Sequence, residues 1–359
     1  MTQYKHGAGA LAGIGRRCYS RGMAKSDNPI RPVRIGRLRL ARNLALAPMH
    51  EHTHLVLRLM CRRQGAALAH TEMAAPEDLL RGPGRKAENI LASTPEDRPL
   101  GVQLLPVAAA TTAEAVAMIR ERGTADLVDL NFACPSERVV RSGRGGAMLR
   151  KPDLAVRIVE AAVKAAGPLP VTVKMRLGFS ASEADREQAL AIASAAAAAG
   201  AAGITLHART VGQGYAGRAD WTAIARWAEA LPVPVFGSGD LRGPEAVLAM
   251  LRETGCAGAS IARGALGAPW IFRQAVALAE TGTYAPASME DRRAAIVEHF
   301  DGLAAQYGER AAAKFIRRMG TYYTRGMRGA AQARAAFQKV RSAAAFRKTV
   351  ETWFGEKTP

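Results

Sequence analysis

Two short apolar runs decide the fold: Leu127-Val128-Asp129-Leu130-Asn131 and Val171-Thr172-Val173-Lys174-Met175-Arg176. Between them lies a helical pattern, Asp153–Ala166, closed by Gly167. Strand, helical crossover and strand make a parallel β-α-β unit. Working outward, the same alternation recurs. Further strands are expected at Leu44–Pro48, Ala66–His70, Leu100–Leu105, Gly203–His207, Val233–Gly237 and Gly258–Ala262. Helical patterns separate them, including Thr53–Gln64, Thr112–Arg122, Asp185–Ala199 and Pro244–Glu253, and Pro269–Glu280 follows the last strand. Eight such units predict a closed α/β TIM (β/α)8 barrel. A doubly wound open sheet is the alternative, but no GxGxxG turn follows the first strand. After Gly282 the pattern is helical only, with expected helices Met289–Tyr307, Glu309–Arg325 and Ala330–Thr352. The expected organisation is a basic, disordered tail over 1–30, a barrel over 31–282 and an all-helical C-terminal domain over 283–359.

Charge divides the chain in the same way. Residues 1–42 carry a net +9 and residues 308–348 a net +10, within a total of +19. The body from 43 to 307 is nearly balanced. A neutral body with basic ends suits an enzyme acting on a polyanion. Residues 1–23 are open to three readings: a transit peptide, a basic tail, or an upstream start before Met23. The basic tail of a cytoplasmic protein is favoured. No apolar run reaches the roughly 18 uncharged residues of a membrane span. The four cysteines, Cys18, Cys61, Cys134 and Cys256, show neither CxxC nor Cys/His ligand spacing. That argues against structural zinc and a disulfide framework, and for a reducing compartment. Cys61 and Cys256 read as packing. His50, His52 and His54 alternate in a loop without tetrahedral ligand spacing, so no metal is expected.

Barrel active sites lie at the C-terminal strand ends. Those ends carry Pro48 and Met49, Gln103, Asn131 with Cys134 beyond it, Lys174 and Arg176, His207, Ser238-Gly239-Asp240, and Ala262-Arg263. Glycine-bearing turns after strands seven and eight, with Arg263, suit a phosphate. Lys174 and His207 then face the ring of a phosphorylated cofactor.

At these residues the chain resembles the tRNA-dihydrouridine synthases, from about Pro32 to Gly329. Four blocks carry the resemblance. They are Ala47-Pro48-Met49 with Arg58 and Thr71-Glu72-Met73; Asp129–Pro135 with Gly143 and Gly145; Val171–Lys174 with His207–Thr210, Gln213-Gly214-Tyr215 and Ala219-Asp220-Trp221; and Gly239-Asp240 with Arg263-Gly264-Ala265 and Pro269–Phe272. The bacterial branch acting near the D-loop is the most similar. The resemblance implies FMN as cofactor, NADPH as reductant and a uridine of tRNA as substrate. It implies FMN contacts from Pro48, Met49, Gln103, Lys174, His207, Gly239, Asp240 and Arg263. His50, Asn131, Ser238 and Ala262 complete the candidate cofactor set. Hydride reaches C6 of the uracil, and Cys134 gives the proton to C5. Such a donor must be a neutral acid across the base from the flavin. The uridine must be flipped out, at a cost of a few kcal/mol. The candidate RNA contacts are therefore Arg138 and Arg176, and, on the basic helices, Arg317, Arg318, Arg325 and Arg328. A monomer is expected.

The chain departs from the family pattern at His50–His54, Ala133, Arg138, Ser238 and Ala262. These departures leave the target position open, and with it another RNA such as rRNA. Two further alternatives are a small-molecule reductase of the dihydroorotate dehydrogenase kind and a catalytically weak RNA-binding paralogue. The basic C-terminal helices argue against the first, and the retained Cys134, Lys174 and His207 against the second.

Overall fold

The computed structural model describes residues 28–82 and 84–355. The expected tail lies outside the described residues as far as residue 27, and Cys18 with it. A hairpin, β1 (Val33–Ile35) and β2 (Leu38–Leu40), comes first. Eight strands follow: β3 (Leu44–Leu46), β4 (Leu68–His70), β5 (Leu100–Leu104), β6 (Leu127–Phe132), β7 (Val171–Arg176), β8 (Gly203–His207), β9 (Val235–Ser238) and β10 (Gly258–Ile261). They form a closed barrel in chain order, every pair parallel. β10 closes on β3, with Ala259 opposite Leu44 and Ile261 opposite Leu46. The expected TIM barrel is the fold.

β5, β6 and β7 are buried along their whole length. One face fills the barrel and the other meets the surrounding helices, which is why these strands read as apolar runs rather than as alternations. Those helices are α1 (Leu55–Arg63), α2 (Pro76–Leu80), α3 (Arg85–Leu91), α4 (Ala109–Arg122), α5 (Glu137–Arg141), α6 (Pro152–Ala166), α7 (Glu183–Ala198), α8 (Trp221–Ala230), α9 (Pro244–Thr254) and α10 (Ile271–Thr281). The short α2, α3 and α5 were not anticipated from sequence, and neither was the β1–β2 hairpin. The hairpin's Ile35 and Leu40 pack with Ala45, Leu68, Leu127 and Phe236, plugging the N-terminal end of the barrel.

Among the described residues the C-terminal region holds four helices rather than three: α11 (Met289–Tyr307), α12 (Glu309–Tyr323), α13 (Ala330–Gln338) and α14 (Ala343–Phe354). The expected single helix over Ala330–Thr352 breaks at Lys339–Ser342. Arg341 donates to the carbonyls of Gln338 and Val340, and the Ser342 hydroxyl accepts from Ala345 N–H. Those contacts satisfy backbone groups that the break exposes.

These helices dock on the C-terminal end of the barrel. Gly267, after β10, has φ +67° and lies so close to α12 that a Cβ would fall 2.5 Å from the Tyr322 carbonyl carbon. Only glycine fits there. A buried polar chain also crosses the junction. The His54 Nδ1 accepts from Leu57 N–H, so its Nε2–H faces the His299 Nε2 at 3.2 Å. His299 Nδ1–H then donates to the Tyr323 hydroxyl at 3.0 Å. Burial holds both imidazoles far below their usual range, His299 at about 3, so the chain is neutral. Close by, Arg58 donates to both Asp97 oxygens and to the Thr53 and Ala92 carbonyls, with Arg58 and Asp97 fully buried.

Candidate active site

The strand ends converge on a cavity of about 370 Å³. It is lined by Pro48, Met49 and His50 after β3, by Gln103, Asn131 and Cys134 from β5, β6 and the loop that follows, and by Lys174, Arg176 and His207 from β7 and β8. Ser238, Ala262 and Arg263 complete the wall. Tyr215 and Tyr322 line it too, and Arg263 lies 4.5 Å from the Tyr215 ring centroid. Sequence therefore anticipated most of the lining.

Cys134 is held by a chain of buried amides. The Asp129 carboxylate accepts from Thr172 Oγ1 and, at 2.6 Å, from Gln103 Nε2. Asn131 Nδ2 donates to Gln103 Oε1, and Asn131 Oδ1 accepts the backbone N–H groups of Ala133 and Cys134, each at 2.9 Å. From the other side, Gly146 N–H donates to the Cys134 carbonyl. Gly145 has φ +57°, and a Cβ there would come within 2.9 Å of Cys134 Cβ. The loop is thus fixed by its neighbours before any substrate arrives. Burial pushes the Cys134 thiol up from its ordinary value.

Lys174 is buried, and its ammonium makes no hydrogen bond to protein among the described residues. Burial, then the neighbouring Arg176, pushes it down to about 8. His207 lies far below its usual range, through burial first and then through Lys174 and the surrounding arginines, so it is neutral. Beside the cavity is a smaller recess lined by Gly239, Arg242, Ser260, Arg263 and Gly264. The Ser260 hydroxyl is buried there without a hydrogen-bond partner.

Three of the expected contact residues are also engaged by the protein itself. Arg176 lines the cavity rather than the outer surface: it is 2% exposed, and its guanidinium donates to the carbonyls of Ala133, Thr210 and Gly214. It ties the Cys134 loop to the Tyr215 loop. Asp240 borders the recess beside the cavity, with its carboxylate turned to protein donors. It accepts from Arg209 and from Ala219 N–H. Arg318 is taken up by Glu51, through the carboxylate and the backbone carbonyl. Arg138, Arg325 and Arg328 are exposed, and Arg317 is half-buried. The His50–His54 segment splits three ways. His50 is exposed beside Glu72, His52 packs edge-on against Tyr322, and His54 enters the buried chain. Cys61 and Cys256 are buried packing, as expected.

Sequence reading did not assign Asp129, Arg209, Arg242 or Tyr215 to the site. Arg242 gave no signal. Asp129 did: it shares its strand parity with Asn131, and alternate residues of a strand share a face.

Residues 45–357 match the dihydrouridine synthase (Dus) family. The chain belongs to that family. It is accordingly an oxidoreductase acting on a CH–CH bond. It is 34% identical over 312 residues to a probable tRNA-dihydrouridine synthase of Treponema pallidum, covering 84% of this chain and 90% of that one. It is 33% identical over 326 residues to tRNA-dihydrouridine synthase B of Pseudomonas aeruginosa, covering 90% and 96%. Among solved structures, the old yellow enzyme homologue from Zymomonas mobilis matches with TM-score 0.52 at 13% identity, over 73% of this chain and 95% of that one. That likeness is one of fold. Among the described residues no helix of this family member is long and apolar enough to cross a membrane.

Proposed function

We propose that the protein reduces the C5=C6 bond of a uridine in tRNA to 5,6-dihydrouridine, with FMN in the cavity and NADPH as reductant. The residues fit a phosphorylated flavin. The unpartnered Ser260 hydroxyl, Arg242 and Arg263 suit its phosphate, and the unpaired Lys174 ammonium suits an electron-rich ring edge. The chemistry FMN supplies when bound is hydride delivery to C6. Lys174, neutral His207 and the Gln103 amide orient the ring edge. Pro48, Met49 and Ala262 give apolar contact, and Ser238 and Gly239 border the phosphate.

Cys134 carries the reading. A donor to C5 must keep its proton until the base is in place. Burial raises this thiol, so at neutral pH it stays protonated. On donation the S–H bond breaks, a C5–H bond forms and a thiolate remains, to be reprotonated by solvent. Arg138, Arg317, Arg325 and Arg328 grip the RNA backbone.

The test is mass spectrometry of tRNA and rRNA from a deletion strain, complemented with wild type or Cys134→Ala. Dihydrouridine should vanish from one tRNA position, return with wild type and stay absent with the variant, whose purified form remains yellow. Loss confined to rRNA would overturn the tRNA assignment, and full restoration by the variant would overturn the role of Cys134.

A further inference from the structure

A second cavity, of about 670 Å³, opens between the barrel and α12. It meets the first at His50 and Met73, which line both. Its apolar wall is built by Tyr307 and Phe315, whose rings stack with centroids 5.8 Å apart at 27°. Arg310 and Lys314, both exposed, stand on its rim on successive turns of α12. Glu72 faces it with one carboxylate oxygen engaged by Glu51 N–H; the other has no protein donor among the described residues. An aromatic wall, a cationic rim and a polar edge group are the means by which proteins hold an unstacked nucleotide.

We propose that this cavity holds a second unstacked base of the RNA, from a nucleotide flanking the reacting uridine. The base packs on Phe315 and Tyr307, its phosphate meets Arg310 and Lys314, and an amino-bearing edge meets the acceptor-only Glu72 carboxylate. The shared wall at His50 and Met73 makes the occupants of the two cavities neighbours along one strand. The inference rests on RNA being the substrate.

Ala311 lines the cavity on α12, so Ala311→Trp fills it. With flavin-loaded enzyme and the tRNA transcript that wild type converts, the variant should raise KM for RNA about ten-fold, the scale of one base stack removed. Its kcat and its rate of flavin reduction should be unchanged. An abasic residue beside the target uridine should raise the wild-type KM similarly and leave Ala311→Trp unaffected. Equal abasic losses in both proteins, or an unaltered RNA KM, overturn the proposal. A raised KM for NADPH in place of RNA also overturns it, and gives the cavity to the dinucleotide. Should Ala311→Trp fold poorly, the surface variant Arg310→Ala/Lys314→Ala should raise the RNA KM with kcat and flavin reduction unchanged, and should still lose further affinity with the abasic RNA because its aromatic wall is intact; an unaltered RNA KM overturns the proposal. Failure of the proposed uridine reduction itself looks different: no transcript yields dihydrouridine with either protein.

Discussion

Two buried polar chains cross this molecule, and they end differently. One runs from Asp129 through Gln103 and Asn131 to the backbone at Cys134. The other runs from His54 through His299 to Tyr323. Both satisfy every link, as buried groups must in a low-dielectric interior. The histidine chain finishes in the protein, since the Tyr323 hydroxyl reaches the Ala295 carbonyl. The amide chain delivers a thiol to a cavity edge, beside an ammonium without a partner. A group left over after the network closes marks chemistry; a network that uses up its own donors marks structure.

The largest effect should come from that left-over thiol. Cys134→Ala should lower dihydrouridine formation by about 10²- to 10⁴-fold, the usual worth of a positioned acid. Melting temperature and flavin content should stay near wild type, because no link of the chain is cut. Cutting links separates the two chains. Asn131→Ala orphans the N–H groups of Ala133 and Cys134. It should cost about 1–3 kcal/mol of stability and, in single-turnover assays on folded protein, lower the rate at least ten-fold as the loop loosens. His299→Leu leaves the His54 Nε2–H without an acceptor and the Tyr323 hydroxyl without its donor, and should cost about 1–3 kcal/mol. Its rate per folded molecule should be wild-type. A slow but stable His299→Leu would break the distinction.

The barrel and much of the cavity were legible because strand ends and glycine turns are local signals. β7 and β8 fall where the apolar runs place them. Arg176 was legible too. It shares strand parity with Lys174, so both side chains point into the barrel and line the cavity. Arg318 and Asp240 are different. Their partners, Glu51 and Arg209, lie far away in sequence, and no local pattern discloses them. The break between α13 and α14 was hidden by alanine, whose helix propensity is highest, although Ser342 was a readable cap. The two fates of His54 and His52 depend on helices that pack only in three dimensions.

The basic helices contrast with both chains, because their charges stay in water. Arg325→Ala/Arg328→Ala should reduce the slope of log affinity against log salt by about 2, roughly one for each phosphate no longer neutralised. Flavin reduction should not change. A slope equal to wild type in a fluorescence-anisotropy titration would move the RNA grip away from α12 and the turn that follows it.

A pH dependence sharpens the idea of the left-over group. Lys174 is pushed down to about 8 in the folded chain, from an ordinary value of 10.5, because burial disfavours the ammonium. Between those values the unfolded chain binds more protons than the folded one, so this lysine makes stability rise with pH from about 8 to 10.5. Below 8 both states are protonated and the contribution is flat, at its least favourable. Lys174→Met removes the group. The difference in unfolding free energy between variant and wild type, measured on flavin-free protein, should favour the variant at pH 7. It should then shrink by up to about 3 kcal/mol as pH rises to 10.5, at about 1.4 kcal/mol per unit. Bound flavin, by giving the ammonium an electron-rich neighbour, should raise its pKa and flatten that difference. A difference independent of pH in flavin-free protein would mean that the Lys174 ammonium already has a partner, and the contrast between a spent chain and one that leaves a group over would lose its second example.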